Sequence, residues 1–156
     1  MKPKIKRKDL INNDDIWNAV ISAVSEYNFP TESKIANETF IVFHYYSELE
    51  SGGHESLFTW FSEYIKEVGI TNYLKELIAI LEKIDAHDYA AIEKKYGEEM
   101  RRLFIALEND EIEENEFYSV IEKANNEYDK LNDKLGDLLE TYFVNIHTNL
   151  IEIVED

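Results

Sequence analysis

Apolar residues recur along this chain with the period of an amphipathic helix almost from end to end. Ile16, Val20, Ile21, Val24 and Tyr27 form the first stripe, behind an "NNDD" segment whose side-chain oxygens suit an N-cap. "NFPT" then breaks the pattern. A second helix is predicted from about Thr31 to Glu50, with Ile35, Thr39, Val42, Phe43, Tyr46 and Leu49 inward and its end at Gly52. Leu57, Phe58, Phe61, Tyr64, Ile65 and Val68 mark a third, ending at Gly69. Thr71 is a cap for the fourth, whose inner face reads Leu74, Leu77, Ile78, Leu81 and Ile84. A fifth, from about Asp88, carries Tyr89, Ile92, Tyr96, Met100, Leu103, Phe104 and Leu107, with Gly97 as a break. "FYSVIEKANNEYDKL" and "GDLLETYFVNIHTNLIEIV" give one long helix or two, interrupted near Asn132 to Gly136.

No segment sustains period-two alternation and no Asn-Gly hairpin pair occurs, so the expected fold is all-α, a single-domain bundle of about six or seven helices. A chain of 156 residues fits one core. The helical domain is placed at 13–156, behind a basic head at 1–12. That head, "MKPKIKRK", is followed by polar rather than apolar residues, so it reads as a flexible tail, with folding onto the acidic body as the lesser alternative.

Charge changes the picture most. The formal net is −17, and outside the first eight positions 11 positive residues face 33 negative ones, a net of −22. Such a surface repels phosphates, which excludes direct nucleic-acid or anionic-membrane binding and favours a basic protein partner. Apolar runs stay far short of the roughly 20 residues that cross a bilayer. With no cysteine there is no thiolate nucleophile, zinc-thiolate site or disulfide framework, which fits a cytoplasmic protein.

Two concentrations of acid stand out. Asp129, Asp133, Asp137 and Glu140 are spaced by four, four and three, which on one helix puts them on one face. Their pitch is then one carboxylate every ~5 to 6 Å. Duplex DNA has one charge per ~3.4 Å of each strand, so a single row is too sparse to imitate it without a second row alongside. The segment "ENDEIEENE" supplies Glu108, Asp110, Glu111, Glu113, Glu114 and Glu116, too charged and aperiodic to be core. Lys130 and Lys134 stand at helical spacing from the first row and could turn it into ordinary exposed ion pairs.

The pair Gly52-Gly53 reads as a structural turn, with Gly52 as the residue past a helix end and Gly53 freeing the chain to fold back. "SGGHES" lacks the glycines and Lys-Ser/Thr ending of a phosphate loop, "HESLF" has Phe58 where a second zinc-binding histidine must stand, and Ser51 lacks a nucleophile elbow. No metal or cofactor is implied. His54 with Glu50 or Glu55 is the remaining acid/base arrangement, set against a plain hydrogen-bonding role at a helix start. His44 reads as a packed or snorkelling residue, and His87 and His147 as surface or helix-end residues.

The acid-rich helix ending in Gly-Gly, the aromatic segment after it, the "VGI" at Val68 to Ile70, the leucine-rich helix and "NEYDKLNDKLGDLLETYFVNIH" together resemble the bacterial DMP-type DNA-mimic family. The likeness spans about residues 38–150 and is carried chiefly by the double glycine with Glu48 and Phe58 and by Tyr142 to His147. It departs at Ser51-Gly52-Gly53-His54, where the family pattern looks like Asn-Gly-Gly-Phe with a downstream aromatic pair and an Asn. The resemblance implies an all-helical dimer whose acidic face imitates duplex DNA and occupies a DNA-binding regulator. Beside this stand an immunity- or antitoxin-like module that neutralises a basic enzyme through an exposed aromatic such as Trp60 or Trp17, and, last, an enzyme centred on the glycine turn.

Overall fold

The computed structural model describes residues 2–155, which form seven α-helices and one short pair of parallel strands. The all-α expectation holds, and each helix follows from the sequence pattern with local differences that have identifiable causes. α1 (Asn13–Ser25) starts at Asn12, whose side chain accepts the Asp15 N–H at 2.9 Å while the Asp15 carboxylate accepts the Ile11 and Asn12 N–H groups. This reciprocal box satisfies donors that a helix start leaves unpaired. Asn12→Ala is expected to lower unfolding free energy by about 1 kcal/mol, seen as a shifted urea midpoint at constant m-value.

α2 (Lys34–Trp60) begins after a Ser33 cap and not at Thr31, because Thr31 is held aside by both ends of the Asn37 amide at 2.7 and 2.9 Å. It packs against α1, α3 (Ser62–Val68), α4 (Ile70–Lys83), α6 (Glu114–Asp129) and α7 (Lys134–Leu150). A helix surrounded in this way buries more than one stripe. Hence Ile41 and Tyr45 join Thr39, Val42 and Leu49 in the core, while Ile35, Phe43 and Tyr46 are only half-buried.

The helix is interrupted at Gly53, with φ 70° and ψ −161°. Past that point the chain folds back, so that His44 meets Trp60 and Glu48 meets Ser56 across two antiparallel arms. The expected turn is therefore present, but the unusual backbone belongs to Gly53 and not to Gly52. Gly69, φ 88°, separates α3 from α4 and takes the cap position expected of Thr71.

α5 (His87–Glu108) passes through Gly97 unbroken. A Cβ there would stand 2.7 Å from Leu74 Cδ2, so the glycine serves close approach of α4 and α5 instead of ending a helix. α6 and α7 are separated by a turn in which Asn132 and Asp133 both have positive φ. In the basic head, Lys4–Lys6 forms β1, paired in parallel with β2 (Glu152–Val154), where the sequence reading expects a flexible tail. Ile5 packs on the core and Arg7 Nε reaches Glu155 at 3.0 Å, so apolar burial and opposite charge both draw the two ends together. Among the described residues no helix is long and apolar enough to cross a membrane.

Candidate functional site

The expected single acidic row is not a helical face. Asp129 closes α6, Asp133 sits in the left-handed turn before α7, and only Asp137 and Glu140 share a helix. Helical spacing fails because the backbone between these residues is not helical. Three of the four are exposed and Glu140 is half-buried. Asp133 and Asp137 remain close to each other around the tyrosines beneath them. The Tyr46 hydroxyl lies over Gly136, where a Cβ would stand 3.2 Å away, and its pKa is raised by burial and then by the charges of Glu50, Asp133 and Asp137. The Tyr89 hydroxyl accepts the Leu135 N–H at 3.1 Å and is raised by burial first, with Asp133 and Glu50 adding to it. The Tyr128 hydroxyl donates to Glu50 Oε2 at 2.9 Å, and burial, followed by that bond, raises its pKa.

Glu50 thus joins Asp133 and Asp137 around one end of the molecule. A hollow of about 220 Å³ there is lined by Glu50, the Gly52-Gly53 bend, Asn125, Tyr128 and Asp129 among others.

The second group lies at the other end of α6. Glu108 ends α5, Asp110 has φ 57°, and Glu111, Glu113, Glu114 and Glu116 follow, all exposed. Glu113 and Glu116 form a capping box, and Glu114 and Glu116 occupy the first turn of α6, where a helix N-terminus favours anions. Ile112 is half-buried against the core and anchors a segment expected to stand clear of it. α6 is 16 residues long, so the two groups are separated by about 22 Å. The face between them offers Asn115, Ser119, Glu122, Lys123 and Asn126, a mixed surface and not an acidic ribbon.

Among the described residues none of these carboxylates lies within 4.0 Å of a lysine or arginine nitrogen; the Lys/Arg ion pairs use Glu38, Glu82, Glu99, Glu127 and Glu155. Lys130, a candidate ion-pair partner for the first group, adds its charge to those that lower the Glu127 pKa, behind the Tyr96 hydroxyl bond and the Lys95 contact. Arg102, whose charge meets that of Glu116, is hydrogen-bonded to both oxygens of Glu99.

The most ordered polar arrangement was not singled out by the sequence reading. His54 and Glu93 are both 0% exposed, and His54 Nε2 lies 2.7 Å from Glu93 Oε2. His54 Nδ1 is 2.7 Å from Asn125 Oδ1, which also accepts the His54 backbone N–H at 3.0 Å. The Tyr45 hydroxyl donates to the same Glu93 oxygen at 2.8 Å. Chemistry fixes much of the protonation. A backbone N–H can only donate, so the Asn125 atom facing it is oxygen, and Nδ1 must carry a hydrogen. One further proton then joins Nε2 to Oε2, leaving the pair neutral overall whichever atom holds it. Glu93 Oε1 and the Tyr73 hydroxyl have no partner among the described residues.

This cluster ties the second arm of α2 to α5 and α6. His54 therefore does not pair with Glu50 or Glu55; those carboxylates accept the Tyr128 and Tyr118 hydroxyls, and both histidine ring nitrogens are engaged inside the core. The missed signal was Glu93 itself, an acid in register with Tyr89, Ala90, Gly97 and Met100 on the buried face of α5. Of the other histidines, His44 is half-buried against Phe40 and Trp60, His87 is exposed near Asp85, and His147 Nδ1 contacts the Val144 carbonyl at 2.6 Å.

A family model described as DMP19-like protein matches residues 30–149. The chain belongs to the DMP19-like protein family. The match bears out the resemblance read from the double glycine and the late Tyr142 to His147 segment, and extends it eight residues toward the start. No curated protein and no solved structure matches the chain. The DMP19-like span contains both acidic groups, the bend at Gly53 and the buried His54–Glu93 pair, while β1, α1 and β2 lie outside it.

Proposed function

We propose that this DMP19-like protein is a non-enzymatic acidic docking protein that occupies the basic surface of a DNA-binding regulator, with carboxylates standing where phosphates would. One observation carries this reading: both acidic groups are free of lysine and arginine partners among the described residues, so their charge is available to a cationic groove. Two groups about 22 Å apart span six or seven base-pair steps at ~3.4 Å each, with a gap between them. A second copy related by twofold symmetry would bring further carboxylates alongside, and the proposal includes such a dimer.

The test starts with affinity capture from the native cell at low salt. The captured protein should bind duplex DNA, and DNA should displace it from this chain. Affinity should fall tenfold or more between about 50 and 200 mM salt, as for a polyanion. The combined variant Asp129→Asn, Asp133→Asn, Asp137→Asn and Glu140→Gln should flatten that dependence. A salt-independent complex, or one that holds DNA at the same time, would end the mimicry reading.

Trp60, 53% exposed, favours a second reading, a helical module that neutralises a basic enzyme through an aromatic anchor. Under it, Trp60→Ala weakens the captured complex more than charge reversal of Asp133 and Asp137 does.

A further inference from the structure

The bend at Gly53 leaves one large ring, Trp60, outside the core. His44 stacks on Trp60 with centroids 4.9 Å apart and 24° between the planes, and His44 is itself wedged against Phe40 at 4.4 Å. Beside Trp60 is an open hollow of about 330 Å³, lined by Glu48 and Gly52 from the first arm of α2 and by Glu55, Ser56, Thr59 and Trp60 from the second. Both carboxylates are oriented by a neighbour that takes one oxygen. Ser56 Oγ donates to Glu48 Oε1 at 2.6 Å, and the Tyr118 hydroxyl donates to Glu55 Oε1 at 2.8 Å. Neither carboxylate has a lysine or arginine partner among the described residues, and the lining contains no cation. Gly52 borders this hollow and also the one at Glu50 and Asp129, so the aromatic site adjoins the first acidic group across the bend.

The geometry points to this hollow as the receptor for an arginine side chain of a basic protein partner, its guanidinium plane on Trp60 and its N–H groups toward Glu48 and Glu55. The inference rests on the reading that the partner is basic. A guanidinium is the group that stacks on an indole and donates in a planar fork at once, whereas an ammonium offers a point charge alone. An apolar occupant would strip water from two carboxylates and give nothing back, and a phosphate would meet like charge. Burial holds the His44 pKa below the ordinary histidine range, so at neutral pH the ring behind Trp60 adds no competing positive charge. Indole and guanidinium are also the groups most enriched where interfaces concentrate their energy.

The experiment titrates the ¹⁵N-labelled full chain with an acetylated, amidated Gly-Ser-Arg-Ser-Gly peptide and with its lysine and citrulline counterparts, followed by NMR. Shifts should be confined to the Trp60 indole N–H and the amides around Glu48, Glu55 and Thr59. Arginine should bind several-fold more tightly than lysine, and citrulline should not bind. The response should vanish in Trp60→Ala and in the Glu48→Gln, Glu55→Gln double variant, and persist when Asp129, Asp133, Asp137 and Glu140 are neutralised.

Equal arginine and lysine responses spread over all acidic residues, persistence in Trp60→Ala, or no response at millimolar peptide would overturn the inference. Concentration-dependent broadening without peptide that Trp60→Ala abolishes would overturn it too, in favour of a second copy on this face. Normal capture of the partner by Trp60→Ala would remove this site and leave the acidic-surface reading standing; failure of all capture would remove that reading and leave the peptide titration to decide this one.

Discussion

His54→Ala is expected to lower the unfolding free energy by about 3 to 5 kcal/mol, the cost of stranding one member of a buried polar pair. A domain of this kind has about 5 to 15 kcal/mol in total, so the variant should sit near the edge of folding at 37 °C. The loss has several parts. Glu93 Oε2, at zero exposure, keeps only the Tyr45 hydroxyl, Asn125 Oδ1 loses one of two donors, and the bend loses its tie to α5. Glu93→Gln should cost less, because an amide can still bridge Tyr45 and a neutral imidazole. Urea unfolding of both single variants and the double variant measures the coupling. If the double loss equals the sum of the two, the residues do not act as a pair.

The same pair gives stability a direction with pH. Burial alone, the largest influence on His54, lowers its pKa; the charge of Glu93, its hydrogen bond and the Asn125 bond act the other way and together exceed it, so the net shift is upward from 6.5. A folded-state pKa above the unfolded one means the folded protein binds the extra proton. The stabilisation is therefore complete below the unfolded value and is lost as pH rises through the folded one. Wild-type urea midpoints should fall as pH rises above about 6.5 toward the folded-state value, with a slope that His54→Ala removes.

How much of this was legible in the sequence depended on whether the information was periodic or pairwise. Apolar spacing marked the helical segments, since a stripe such as Leu74, Leu77 and Leu81 repeats one geometric requirement several times over, but it ran Leu57 to Val68 together as one helix where the chain breaks at Phe61 between α2 and α3. The double glycine marked the bend for the same kind of reason, a local backbone need. Which glycine bears the positive φ was not legible, because it is set by Asn125, seventy-odd positions away. Glu93 was hidden in the same way. Its partners lie on α2 and the neighbouring α6, and only the packed structure brings one acid, one imidazole and one amide together. The acidic residues failed as a helical row because Asn132 and Asp133 leave the helix, a break that the sequence placed but whose consequence for side-chain direction needed the backbone angles. The strand in the basic head was not legible because it exists only against Glu152–Val154 at the far end of the chain.

Gly53→Ala should be the most damaging of the glycine substitutions, at about 2 to 5 kcal/mol, and well beyond Gly69→Ala. Both glycines have positive φ, 70° and 88°, and an L-residue forced into such sparsely populated regions costs about 1 to 3 kcal/mol. At Gly69 nothing among the described residues lies within 4 Å of an added Cβ, so backbone strain is the whole cost there. At Gly53 the added carbon would stand 2.6 Å from Asn125 Nδ2. Asn125 cannot swing aside cheaply, because its other amide atom accepts from His54 twice; moving it breaks the buried cluster that the first prediction addresses. The expected signature is therefore double. Gly53→Ala should lower the urea midpoint well beyond Gly69→Ala, and it should also loosen the His44–Trp60 stack as the arms reorient, shifting Trp60 emission in the folded state. Equal midpoints for the two variants would show that Asn125 yields to the new methyl group, and that the bend is held by backbone preference alone.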